Sequence, residues 1–214
     1  SNTSTATGGG VDYTLAAGRA TITAGSTAGT LTLIIDDDNL DEEDETVIVE
    51  ISNATNGSVG AVNTMTITIG DEDAPPTVRF AVGADNAVTD NDETQQLVSV
   101  TLSALSGKDV TVSYEIDAAN STVSSTGVYK DHNLVNGDLV IPAGSLTGNI
   151  TYNAIADATY ENNEILTIDL TNTNLENATL GSEAFLTHAI TFSSVDPAPT
   201  IGFSSNSSNI DENN

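Results

Sequence analysis

Residues 36 to 45 read Asp-Asp-Asp-Asn-Leu-Asp-Glu-Glu-Asp-Glu, eight carboxylates in ten positions between two apolar runs. So many like charges in one loop cost free energy unless counter-ions neutralise them. A second group, Asp71-Glu72-Asp73, follows the next pair of apolar runs, and a single Asp12 precedes Tyr13. Calcium takes six to eight oxygen ligands at ~2.3 to 2.6 Å, mostly carboxylates and carbonyls, and suits such a set. Magnesium, which keeps several of its waters, suits it less. The alternative is a solvated acidic loop, and what separates the two is whether the three segments converge.

Few other residues offer chemistry. His132 beside Asp131 and His188 within a strand-like run are expected at the surface or at a sheet edge, and no Gly-x-Ser-x-Gly elbow accompanies them. Paired carboxylates also serve glycosidases, but aromatic platforms for a sugar are scarce, with five Tyr, four Phe and no Trp. The expectation is binding without enzyme activity.

The chain carries 31 acidic residues against Arg19, Arg79, Lys108 and Lys130, a formal charge of -27. Such a field repels phosphate backbones and anionic lipid, so neither nucleic acid nor membrane insertion of this segment is expected. Without cysteine, disulfides and thiolate zinc sites are ruled out, and calcium is the reinforcement an extracellular chain has left. No apolar run approaches the ~18 residues of a membrane span, and no signal-peptide pattern opens the chain. If secreted, the segment is expected to be an internal piece of something longer.

The elements that must position these carboxylates are strands. Alternation at period two recurs at Leu31/Leu33/Ile35, Val47/Val49/Ile51, Met65/Ile67/Ile69, Val98/Val100/Leu102, Val110/Val112/Tyr114/Ile116 and Leu166/Ile168/Leu170. Gly, Asn, Asp and Ser clusters separate them, and no helical period stands out. The fold class expected is all-β.

An internal repeat organises the strands. Displacing the chain by 119 positions lays residues 12 to 51 on 131 to 170 without a gap, Asp12 on Asp131, Asp38 on Asp157, Glu42 on Glu161 and Glu45 on Glu164. After a four-residue insertion, Pro76-Thr77-Val78-Arg79-Phe80 falls on Pro199-Thr200-Ile201-Gly202-Phe203. The expected division is a partial repeat over 1–74 lacking its opening strands, a complete repeat over 77–197, and the first strand of a third over 198–214. That strand is expected to dock onto a neighbouring copy or to be held by the parent protein. Ala74-Pro75-Pro76 and Pro197-Ala198-Pro199 are short proline linkers, which favour a stiff array.

These motifs together resemble the Calx-β domain, found in sodium/calcium exchangers, an integrin β subunit and many large bacterial surface proteins. The resemblance rests on Asp12-Tyr13, Ile22-Thr23-Ala24-Gly25, Asp37-Asp38 followed by Glu42 and Glu45, and the terminal Asp71-Glu72-Asp73. It implies tandem immunoglobulin-like antiparallel β-sandwiches, and it makes Asp12, Asp37, Asp38, Glu42, Glu45, Asp71 and Asp73 the calcium ligands of repeat one. In repeat two it retains Asp131, Asp157, Glu161, Glu164 and Asp196, with Asp90 in the first inter-strand loop and Glu212 as that loop's equivalent in the third repeat. Ala156, Ser194 and Asn162-Asn163 depart from the pattern, so repeat two is expected to bind fewer ions, more weakly.

The resemblance implies a calcium-binding structural or adhesion module of a large extracellular or cell-surface repeat protein. Its partners would be neighbouring repeats and an adhesive ligand, protein or carbohydrate. A regulatory calcium sensor attached to a transporter or receptor, and an accessory domain of a secreted enzyme, stay open beside it.

Overall fold

The computed structural model describes residues 3–15, 18–82, 87–89, 92–127 and 130–206. Asp90 and Glu212 lie outside the described residues. Repeat one forms two antiparallel pairs. Strand β1 (Tyr13–Leu15) pairs β2 (Leu33–Ile35), and β3 (Glu45–Glu50) pairs β4 (Thr64–Ile69).

Repeat two contains β5 (Thr77–Phe80), β6 (Ala87–Thr89), β7 (Gln95–Leu102), β8 (Val110–Ile116) and β9 (Gly137–Ile141). It continues with β10 (Thr147–Asn153), β11 (Glu164–Glu176), β12 (Thr179–Leu180) and β13 (Thr187–Ser193). The only helical element among the described residues is a 3-10 turn at Glu183–Phe185. Among the described residues, no helix is long and apolar enough to cross a membrane.

The strands form a four-stranded sheet in the order β10-β7-β5-β12 and a five-stranded sheet in the order β6-β13-β11-β8-β9. The period-two pattern turns Val78, Phe80, Val98 and Val100 of the first sheet and Val110, Val112, Leu166, Ile168 and Ile190 of the second into one buried core. Full burial of a Leu, Ile or Val side chain contributes about 1.5 to 3 kcal/mol. Short aliphatic layers therefore hold this immunoglobulin-like sandwich without tryptophan.

The two repeats share backbone detail. Tyr13 pairs with Ile35, and the residues 119 positions on, His132 and Ala154, form an antiparallel bridge. Glu45 pairs with Ile69 as Glu164 pairs with Phe192. Gly25 and Gly144 turn the chain at equivalent points with φ of 86° and 74°, which a side chain would strain.

One expectation is corrected. His132 and His188 are buried, not at the surface. His132 Nδ1 accepts the Leu134 N–H at 3.1 Å, its ring packs near Phe192, and burial lowers its pKa. Thr200 to Phe203 form no strand, and Ile201 and Phe203 are fully exposed. A lone strand has no partner for its N–H and C=O groups and nothing to bury against.

Candidate metal centres

In repeat one the three acidic segments converge. Asp12 leads into β1, residues 36 to 45 connect β2 to β3, and residues 71 to 73 follow β4. Because β1 pairs β2 and β3 pairs β4, all three lie at one end, and Asp12, Asp37, Asp38, Glu42, Glu45, Asp71 and Asp73 line a single cleft. Asp36, Glu43 and Glu72 line it too and were not singled out from the sequence. Membership in the acidic run was their only signal.

Local hydrogen bonds shape the cleft. The Asp12 carboxylate accepts the Thr7 N–H. Thr14 Oγ1 donates to Asp36 Oδ2 at 2.9 Å, and Leu40 N–H donates to Asp38 Oδ1 at 2.8 Å. Asp44 Oδ1 accepts the Asp71 N–H at 3.1 Å, joining the second acidic segment to the third. Burial raises the Glu42 pKa, and the charges of Asp12, Asp38 and Asp71 raise it further. Glu45 is raised by burial, by the Asp12 charge and by a hydrogen bond with Asp12. Asp73 is raised by desolvation and then by Asp71, Asp37 and Asp38. Carboxylates that push one another toward the neutral form make a field that favours a cation.

The same loop holds the next repeat. Asp41, buried at 4% exposure, bridges to the buried Ser106 in the turn between β7 and β8. Its carbonyl accepts the Gly107 N–H at 2.9 Å, and its Oδ1 lies 2.8 Å from Lys108 Nζ. Asp41 is thus engaged by repeat two and is not among the residues lining the cleft.

In repeat two the oxygens of Asp131, Glu161 and Glu164 all lie within 4.8 Å of one another. Asp131 is buried and accepts the Ser124 N–H. Glu164 opens β11, and its pKa is pushed up to about 7, first by burial and then by Asp131 and Glu161. Asp157 Oδ1 accepts the Thr159 N–H at 2.6 Å, while Asp157 Oδ2 and Asp196 Oδ2 are buried without a hydrogen-bond partner among the described residues. Ser194 Oγ accepts from both Glu161 N and Asp196 N at 3.4 Å.

An all-oxygen, all-carboxylate donor set with buried, unpartnered oxygens fits a hard divalent cation of calcium's size. Asp131, Glu161 and Glu164 would hold it in repeat two, with Asp157 four residues before Glu161 and Asp196 linked to Glu161 through Ser194 Oγ. The seven predicted carboxylates would hold it in repeat one.

Among solved structures, the chain is similar to the calcium binding domain CBD12 of CALX1.1, at 21% identity and a TM-score of 0.46, covering 56% of this chain and 44% of that one. It is also similar to the apo-form Calx CBD1 domain, at 19% identity and a TM-score of 0.45, covering 57% of this chain and 99% of that one. The chain thus spans less than half the length of the first. No curated protein sequence matches it. The Calx-beta domain pattern matches twice, over residues 1–73 and 71–192. A pattern matched across nearly the whole chain shows that this protein belongs to the Calx-beta domain family.

Proposed function

We propose that the chain is a calcium-binding structural and adhesion module of a large extracellular or cell-surface repeat protein, in which calcium rigidifies the junction between repeats. The observation that carries this reading is Asp41. It belongs to the loop whose neighbouring carboxylates line the cleft, yet its own groups hold Ser106, Gly107 and Lys108 of the following repeat. Ordering the loop therefore also orders the contact to the next repeat.

A bound calcium ion supplies positive charge and oxygen coordination. The protein supplies the converging loops and the Asp41 tie. Extracellular calcium modules bind at ~0.1 to 1 mM, so at ~1 mM free ion a ~0.1 mM site adds about 1.4 kcal/mol. The proposed role is binding, with no enzyme activity, and the partners are neighbouring repeats and an adhesive protein or carbohydrate.

A regulatory sensor module of a membrane transporter or receptor is the second reading. The same Asp41 tie favours it, because a site coupled to its neighbour can report its occupancy. Small-angle scattering of the chain in chelator and in millimolar calcium tests the shared step. Calcium should narrow the distribution of inter-repeat distances and magnesium should not. An unchanged profile would sink the junction role.

A further inference from the structure

The count of carboxylates ranks repeat one above repeat two, whereas the packing ranks them the other way. We infer that repeat two holds the tighter calcium site and fills first, and that repeat one fills at higher calcium. The inference rests on the calcium reading above.

Asp131, Glu161 and Glu164 already present their oxygens within 4.8 Å of one another. The backbone beneath Asp131 and Glu164 is hydrogen-bonded into the sandwich. Asp131 N–H donates to the Ser124 carbonyl, its own carbonyl accepts the Ile155 N–H, and Glu164 begins β11, the central strand of the five-stranded sheet. Little chain entropy remains to be lost there when an ion binds.

A second observation points the same way. Asp157 Oδ2 and Asp196 Oδ2 are buried with no hydrogen-bond partner among the described residues, a costly state that a cation relieves. Ser194, which replaces an aspartate of the repeat-one pattern, is not simply a lost ligand. Its hydroxyl accepts from Glu161 N and Asp196 N and so ties two ligand-bearing segments together.

Repeat one has equivalent backbone bonds, Asp12 N–H to the Thr7 carbonyl and Asp36 N–H to the Asp12 carbonyl, but its carboxylates are more numerous and more exposed. Asp37 and Asp38 are exposed, so their hydration must be stripped on binding. Lys108 already places a positive charge in this field and acts on Glu42, which opposes the arrival of another cation. The extra acidic charge attracts ions from a distance, but physiological salt screens that attraction over ~8 Å. Convergent oxygens act at contact and escape that screening.

The test is a calcium titration of the full chain from chelator, followed by amide chemical shifts. Signals of Thr159, Glu161 and Asp196 should saturate at calcium at least ~10-fold lower than those of Leu40, Glu42 and Asp71. Glu161→Gln should remove the first transition and leave the second. Repeat-one signals moving first, or both sets moving together, overturns the order while calcium binding stands. No calcium-dependent shift in either set overturns the calcium reading and the order with it. Because the order is read in the unmodified chain, a variant that fails to fold does not remove the test.

Discussion

Glu45 and Glu164 stand at equivalent points of the two repeats, and each shares a hydrogen bond with the aspartate at the equivalent upstream position, Asp12 or Asp131. A hydrogen bond between two carboxyl groups requires a proton, and in repeat two burial holds Glu164 up to about 7. Its ordinary value is 4.5, so the folded state binds the proton more tightly than the unfolded state. The resulting stability is fully present below pH ~4.5 and is lost as pH rises through about 7. In chelator, the Glu164 carboxyl carbon should titrate near pH 7 by NMR, and calcium should displace the proton. A midpoint near 4.5 would refute this. At Gly107, a Cβ would stand 2.6 Å from Glu42 Cγ and 3.3 Å from the Asp41 carbonyl. Gly107→Val should displace Glu42 and weaken calcium binding in repeat one several-fold, with repeat two unaffected, as site-resolved titration would show.

Among the elements, the turn between β7 and β8 matters most to the junction. Lys108 is 18% exposed and Asp41 4% exposed, so removing the lysine charge leaves a nearly buried carboxylate without its cation. Lys108→Met should cost about 1 to 3 kcal/mol at the junction, less than a fully buried pair would lose. Hydrogen exchange checks it. The Gly107 N–H, bonded to the Asp41 carbonyl, should exchange faster while amides of β11 keep their protection. The sheets respond to different substitutions. Leu166 and Ile168 on β11 are fully buried between β8 and β13. Leu166→Ala should cost about 2 to 5 kcal/mol by denaturant unfolding, and a loss under 1 kcal/mol would mean the core is not packed as described.

For the molecule as a whole, the charge of -27 sets the response to ions. Thermal unfolding should show a calcium-specific rise in Tm, small with magnesium, and the rise should be lost on changing Asp37 and Asp38 to Asn together with Glu161 to Gln. The same Tm in chelator and in calcium would mean that the acidic loops are only solvated. Monovalent salt alone should give part of the rise, because it screens repulsion without coordinating the carboxylates.

Strand positions and the repeat were legible because each is a local pattern. Period two puts Val98 and Val100 on one face wherever the chain goes, and a displacement of 119 aligns Asp12 with Asp131 without knowledge of either fold. Whether Asp12, the 36 to 45 loop and Asp71 converge stayed open in the sequence and was decided by the pairing of β1 with β2 and of β3 with β4. Burial, and which groups are held still, were decided only by the tertiary structure. His132 and His188 read as surface or sheet-edge residues because polarity is local, yet the sandwich closes over them. Asp41 read as one more acid in a run of eight, and only the approach of Ser106 and Lys108, some 65 residues on, made it the tie between repeats. Counting carboxylates measured charge. Convergence of their oxygens depends on how firmly distant strands hold the loops, and no spacing along the chain encodes that.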